Sequence, residues 1–321
     1  MSEQLVPQPR SRIVVVGAGA MGSIFGAAFA TAGNAVWFVD ANETLTEHLQ
    51  SNELIIDRRD GSTDRYRIPA TSAPATLGFH ADLVLFQVKG FATAAAAGLV
   101  RPVVGPQTSI LTLQNGLGNE DVLRAAFPDN PILIGNGVHS VAVVGPGHVS
   151  HTGVRGTSIG PADDRWTGAA LMAGRALEGS GFDVQTLDEG AIRHEIWAKF
   201  VMNCGSLPTL ALTGLSTSAI NAHEVVLALT DALVRETCTI AAAEGIDLDA
   251  DERVRFSRDL FRTAGGKASM LQDLEAGRRT EIDTINGAAI TSADRHGLAA
   301  PLNRAVFALV QGREAAMGIR S

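Results

Sequence analysis

Apolar positions along this chain fall into two textures. Up to Asp188, short apolar runs at 12–16, 35–39, 83–87, 109–113 and 132–134 alternate with helical segments or loops, and such alternation predicts a parallel sheet with crossover helices. Two further runs, 138–144 and 148–159, flank Gly145-Pro146-Gly147 and read as antiparallel strands that close this first domain. The run 182–187 reads as its last strand. From Asp188 onward strand signals stop, and a helical period dominates to the C-terminus. The expected fold class is α/β: an N-terminal doubly wound sheet over residues 1–188, followed by an all-helical domain over 189–321. A chain of 321 residues is comfortable for two such domains.

The first run empties directly into Gly17-Ala18-Gly19-Ala20-Met21-Gly22 and then into an Ala-rich helix. This is a Rossmann dinucleotide-binding pattern, in which Gly17 permits the tight turn, Gly19 lets the backbone approach a pyrophosphate, and Gly22 lets helix and strand pack closely. The helix start, with Ala20 and Met21, offers free N–H groups and a positive dipole end to phosphates. The next run ends in Asp40, where an acid can hold a ribose 2′-hydroxyl. Strand, loop, helix, strand and acid in this order outweigh a ligand-free Gly-rich turn. Two further polar residues follow expected strands: Lys89 after 83–88, and Asn115 in Gln114-Asn115-Gly116. Ligands in open α/β sheets bind beyond the carboxyl ends of the strands. Both residues are therefore expected to border the cofactor, although Asn115-Gly116 also suits an ordinary turn.

Composition narrows the classes. Hydrophobic residues make up 45% and charged residues 19%, which is globular rather than disordered. A net charge of -8 argues against a nucleic-acid surface. Residues 1–10 are polar, with no apolar h-region, and read as a frayed tail. The Ala-rich stretch 92–104 is interrupted by Arg101 and Pro102 and falls short of the ~18 apolar residues of a membrane span. Cys204 and Cys238 are the only cysteines, which fits a reducing cytoplasm without a disulfide framework. The eight histidines show no ligand spacing. His139, His148 and His151 fall in the expected antiparallel strands, where hydrogen-bonded or exposed roles outweigh metal binding, and no metal is expected. There is no Gly-x-Ser-x-Gly nucleophile elbow.

In the helical half, Ile192, Ile196, Lys199 and Asn203 share one stripe by helical spacing. Lys199 then reads in two ways: as a snorkelling side chain or an i,i+4 partner of Glu195, or as a desolvated lysine with a lowered pKa that donates a proton. Spacing alone does not separate them. Downstream, Ser269 with Gln272 matches a capping box, Gly277 would end that short helix, and Thr280 with Asp283 would open the next. Capping suffices for Thr280. Ser269 also suits a carboxylate site, and Glu281 at a first helical position gains from the dipole whether or not it is catalytic.

Taken in order, five motifs resemble the ketopantoate reductase family over nearly the whole chain. They are Gly17-Ala-Gly19-Ala-Met-Gly22-Ser23, the strand ending in Val88-Lys89, Leu113-Gln-Asn115-Gly-Leu-Gly118, Ile196-Trp-Ala-Lys199-Phe-Val-Met-Asn203-Cys204, and Ser269-Met-Leu-Gln-Asp273 with Thr280-Glu281-Ile-Asp283-x-Ile-Asn286-Gly287. The resemblance implies a Rossmann domain followed by a helical domain, with reduction of a small 2-oxo acid to a D-2-hydroxy acid in the cleft between them. On that basis Lys199 is the general acid and Glu281 its partner. Asn115 and Asn203 position substrate or cofactor, and Ser269 holds the substrate carboxylate. Two departures qualify this. Family members usually carry an Arg after the second strand for the NADPH 2′-phosphate, whereas this chain has Asp40-Ala41; NAD(H) is expected, with NADP(H) left open. The family also commonly has an Asn before the proline that follows the lysine helix, whereas Leu207-Pro208 stands here. Leu207 is thus expected to line the substrate site and favour an apolar tail. The alternatives are 2-dehydropantoate 2-reductase proper, using NADPH for pantothenate synthesis, and a noncatalytic NAD(H)-binding sensor. No membrane or nucleic-acid partner is expected, and a homodimer is one open assembly.

Overall fold

Strand β1 (Arg12–Val16) has its last four residues buried, as expected for a central strand covered on both faces. The computed structural model describes residues 11–263 and 265–320. From β1 the chain enters α1 (Ala20–Thr31) and returns in β2 (Ala35–Val39), parallel to β1. Then follow α2 (Glu43–Ser51), β3 (Leu54–Arg58), β4 (Thr63–Tyr66), β5 (Ala70–Thr71), β6 (Leu83–Phe86), α3 (Thr93–Val100), β7 (Ser109–Thr112), α4 (Asn119–Ala126), β8 (Ile132–Gly145), β9 (His148–Pro161), α5 (Thr167–Arg175) and β10 (Val184–Thr186). One sheet runs in the order β4-β3-β9-β8-β7-β6-β1-β2-β5, and β10 pairs with β9. The strands from β8 to β5 in that order are parallel neighbours, while β8 with β9 and β3 with β4 are antiparallel.

The doubly wound half is thus present, with differences in detail. The runs at 132–134 and 138–144 are a single long strand, β8, whose first residues pair in parallel with β7 and whose whole length pairs antiparallel with β9. Strands β3, β4 and β5 were not among the expected runs: β4 is only half-buried and β5 has two residues, while β3 does carry the short apolar run Leu54-Ile55-Ile56. The expected strand 182–187 contracts to β10.

The C-terminal part is helical, as its period indicated: α6 (Glu189–Thr213), α7 (Glu224–Ala243), α8 (Ala250–Thr263), α9 (Ser269–Glu275), α10 (Asn286–Arg295) and α11 (Pro301–Ala316). Contacts divide the chain into two units, one of residues up to Gln114 with Glu120–Ile192, the other of Asn115–Asn119 with Arg193–Ser321. The division falls at Ile192 rather than Asp188, and the Asn115 turn belongs to the second unit. The first unit's core joins β-strand residues such as Ile13, Val15, Phe38, Leu85 and Leu111 to Phe25 and Phe29 of α1. The second unit's core is built on Trp197, Phe200, Val201 and Cys204 of α6, with Val234 of α7 and Ile282 and Ile285 ahead of α10.

Local chemistry corrects three readings in the helical half. Helix α6 continues through Pro208 instead of ending before it. Ser269 and Gln272 do not form a capping box: Ala268 is the cap residue, and Gln272 Nε2 donates to the Lys267 carbonyl at 2.7 Å. Thr280 and Asp283 do not open a helix either. Residues 281–285 form a turn, closed by the N–H groups of Thr284 and Ile285 donating to the Glu281 carbonyl, both at 3.1 Å. Glu281 is therefore in a turn and not at a first helical position. Gly277 does end α9, in a left-handed conformation at φ 65°.

Candidate functional site

In the first unit the glycine loop joins β1 to α1. A Cβ on Gly22 would lie 1.8 Å from the Gly17 carbonyl oxygen, so the loop cannot close over the helix start with any larger residue. Gly19 is different. It is exposed, and a Cβ there would meet no protein atom within 4 Å; the protein's own packing does not require glycine at this position. A backbone left bare toward open space, at the entry to a helix whose first N–H groups lack intrahelical partners, fits a dinucleotide pyrophosphate. Ala20 and Met21 are the first residues of α1. Asp40 follows β2, and its Oδ2 accepts from the Ala18 N–H at 2.8 Å while Oδ1 accepts from the Asn42 N–H at 2.9 Å. The carboxylate is thereby fixed beside the loop with lone pairs left for a ribose diol. Beyond it come Ala41, Asn42 and Glu43, with no cation among them.

Lys89 follows Val88 at the end of β6 and starts a short 3₁₀ turn. The residue that braces this edge is one the sequence did not single out. Gln114 Nε2 donates to the Val88 carbonyl at 2.7 Å and to Thr93 Oγ1 at 2.9 Å, and its Oε1 accepts from Thr112 Oγ1. Gln114 thus ties the ends of β6 and β7 together.

In the second unit, Lys199 and Asn203 are one turn apart on α6, as their spacing indicated. Desolvation pulls the Lys199 pKa down from 10.5 to about 8, against the Glu281 carboxylate, which favours the charged form. Glu281 itself is 7% exposed and Asn203 is buried. The Glu281 turn also meets the Asn115 turn: the Leu117 N–H donates to the Thr284 carbonyl at 2.9 Å, and a Cβ on Gly116 would come within 2.2 Å of that oxygen. Lys199, Glu281 and the Asn115 turn are therefore linked within one unit although they are far apart in sequence. Ser269 is exposed at the first position of α9 and makes no capping bond. Leu207, expected to line the site from a loop, lies inside α6 and packs in the apolar core with 9% exposure. Its neighbour Pro208 accounts for a second residue missed at first, Asn286. Proline has no N–H, so the Cys204 carbonyl lacks its helical donor; Asn286 Nδ2 donates to it at 3.0 Å.

The histidines of β8 and β9 serve the sheet. Arg58 donates from Nη1 to His151 Nδ1 at 2.8 Å, His151 Nε2 lies 3.2 Å from His139 Nδ1, and His139 Nε2 lies 2.9 Å from Thr157 Oγ1. Because arginine can only donate, both rings carry their proton on Nε2. Among the described residues no cluster of His, Cys, Asp or Glu could hold a metal ion, and no helix is long and apolar enough to cross a membrane.

Two family models match this chain, ketopantoate reductase PanE/ApbA over residues 13–164 and the ketopantoate reductase C-terminal model over residues 191–314. The chain belongs to the ketopantoate reductase family. It is an oxidoreductase of that class, an NAD(P)-dependent 2-oxo acid reductase. A curated relative, the 2-dehydropantoate 2-reductase of Halobacterium salinarum, is 32% identical over 94% of this chain and 98% of its own. Among solved structures, a D-mandelate dehydrogenase held with NADH and anilino(oxo)acetate superposes with a TM-score of 0.90 at 26% identity, covering 96% of this chain and 100% of that one. The Ralstonia eutropha ketopantoate reductase gives a TM-score of 0.84 at 29% identity, covering 96% and 99%.

Proposed function

We propose that this family member reduces a 2-oxo acid with an apolar tail to the D-2-hydroxy acid, and that it uses NADH in preference to NADPH. The observation that carries the chemistry is Lys199, a lysine on α6 with a pKa of about 8 and Glu281 as its carboxylate partner. A general acid works best with a pKa near the operating pH. Lys199 Nζ gives its proton to the substrate carbonyl oxygen as that carbon is reduced, leaving a neutral amine that water re-protonates. Glu281 keeps the ammonium form populated before the transfer. Ser269 holds the substrate carboxylate, and the amides of Asn115 and Asn203 orient the substrate and the nicotinamide end.

Gly17, Gly19, Ala20, Met21 and Gly22 would hold the pyrophosphate, Asp40 the adenosine ribose, and Lys89 with Asn115 the rest of the dinucleotide. When bound, the cofactor supplies the hydride. Asp40 supports the NADH preference. A carboxylate about 4 Å from a 2′-phosphate costs up to about 4 kcal/mol at an effective dielectric near 20, and about 1.4 kcal/mol is already tenfold. The similar D-mandelate dehydrogenase is held with NADH and with anilino(oxo)acetate, an oxo acid that bears an aryl group, which agrees with both halves of the proposal. Leu207 packs in the apolar core of the second unit, so the preference for an apolar tail rests on that likeness.

A second reading, reduction of ketopantoate with NADPH, is favoured by the name of the Halobacterium relative. Steady-state kcat/KM for ketopantoate, 2-oxoisovalerate and phenylpyruvate, each with NADH and NADPH, separates the two. Ketopantoate at least about tenfold ahead, a difference of about 1.4 kcal/mol, or NADPH equal to NADH, would replace the first reading by the second.

A further inference from the structure

The turn that carries Glu281 is gripped from the far C-terminus of the chain. Glu314, on α11, is a carboxylate with 0% exposure. Its Oε1 accepts from the Thr280 N–H at 2.7 Å and its Oε2 from Arg320 Nε at 2.8 Å. The same Arg320 forks onto Asp283, with Nη2 donating to Oδ2 at 2.6 Å and Nη1 to Oδ1 at 3.1 Å. Arg279 and Gln311 also donate to that carboxylate, at 2.9 and 3.1 Å. Burial pushes the Asp283 carboxyl upward, but the hydrogen bonds from Arg320 and Arg279 hold it below its ordinary value. One network thus holds the residue just before Glu281 and the second residue after it.

Arg320 reaches these partners because the chain reverses at the end of α11. Gly318 adopts φ 69°, its N–H donates to the Ala315 carbonyl at 3.0 Å, and the Ile319 N–H donates to the Glu314 carbonyl at 2.9 Å. This is a Schellman stop, with Ile319 packed on the second unit's apolar core. The reversal points Arg320 back along the helix it has just left. Apolar residues of similar volume in place of a buried ion network are often neutral or stabilising, whereas removing one partner strands a charge. What the ions add here is direction: they fix the backbone N–H of Thr280 and the side chain of Asp283, on either side of Glu281.

We infer that Glu314 and Arg320 are positioning residues for Glu281, holding its turn so that its carboxylate stays on Lys199. The inference rests on the roles proposed above for Glu281 and Lys199. Neither Glu314 nor Arg320 acts on substrate; each acts through the turn.

The test uses full-length Arg320→Ala, Arg320→Lys and Glu314→Gln, with Glu281→Gln as the reference, all assayed well below their melting temperatures. In Arg320→Ala and Glu314→Gln, kcat for 2-oxo acid reduction is expected to fall by about tenfold to about a hundredfold, as small misplacements of reacting groups do, with the KM for NADH unchanged. The alkaline limb of reductive kcat/KM should move to lower pH, because a displaced Glu281 supports the Lys199 ammonium less. Arg320→Lys, which keeps the charge, should recover part of both. If Arg320→Ala and Glu314→Gln melt lower yet keep the wild-type kcat and limb, while Glu281→Gln alters both, the network only stabilises the fold and the inference is overturned with the role of Glu281 intact. If Glu281→Gln itself leaves kcat and the limb unchanged, the role of Glu281 falls and the inference goes with it.

Discussion

Asn286 supplies the hydrogen bond that Pro208 withholds. Its Nδ2 donates both to the Cys204 carbonyl inside α6, at 3.0 Å, and to Asn303 Oδ1 at 2.9 Å, so a helix of the proposed site runs through a proline with its orphaned carbonyl satisfied. Removing the amide should leave that carbonyl buried and unpaired, at a cost of about 1 to 3 kcal/mol. In a Pro208→Ala background residue 208 can donate for itself, so Asn286→Ala should cost less there. Urea melts of the four proteins of this double-mutant cycle measure the difference; equal costs in both backgrounds would dissociate the two residues.

The glycine loop offers a clean separation of folding from binding. Gly22→Ala puts a Cβ 1.8 Å from the Gly17 carbonyl oxygen and should destabilise by about 3 kcal/mol or more, at the upper end of overpacking. Gly19→Ala meets no protein atom and should melt close to wild type. Its NADH affinity should nevertheless fall about tenfold or more, which is about 1.4 kcal/mol. Fluorescence titration with NADH checks this, and wild-type affinity in Gly19→Ala would remove the pyrophosphate from that position.

Lys199 predicts opposite pH dependences for the two directions of reaction. With a pKa of about 8, the reductive rate should fall as pH rises past that value, and oxidation of the hydroxy acid should rise. Lys199→Met should lose kcat by about 10² to 10⁴. Stability should move the other way. The folded pKa lies below the unfolded 10.5, so the desolvated charge is a full cost below about 8 and is relieved between about 8 and 10.5. Lys199→Met should therefore melt at or above wild type at neutral pH, with the advantage shrinking as pH rises through that window. A variant that keeps more than about a third of kcat would make Lys199 a snorkelling side chain.

His151 predicts acid sensitivity of the sheet. Burial lowers its pKa below 6.5, and the facing Arg58 lowers it further. Arg58 is itself held by Asp64 at 2.8 Å, while His139 and the Phe182 ring close the other sides. Below pH 6.5 the unfolded chain takes up this proton before the folded one, so stability should drop as pH falls through 6.5 toward the folded value. His151→Gln keeps an acceptor for Arg58 and a donor for His139 without titrating. Its stability should depend less steeply on pH in that range, and an unchanged slope in equilibrium unfolding would assign the acid sensitivity elsewhere.

Much of this protein was legible in its sequence because the signals are local. Alternating runs disclosed the parallel strands around β1, the spacing of Gly17, Gly19 and Gly22 disclosed the tight loop between β1 and α1, and a period of 3.6 placed Lys199 and Asn203 on one line of α6. What periodicity reports is which side of an element is buried. It does not report what lies against that side. Strand β4 carries a weak pattern because it is only half-buried. The turn at Asn115 read as part of the first domain until the Thr284 carbonyl claimed the Leu117 N–H. The donor to Cys204 stands 82 residues away, and the carboxylate that holds Thr280 stands 34 away. Pairings of that span leave no trace in neighbouring residues, because the chain pays their closure entropy only once its cores have formed. The sequence by itself therefore determined the parallel strands around β1, the glycine loop between β1 and α1 and the helical character of the C-terminal half, and the tertiary structure alone decided which polar groups complete one another.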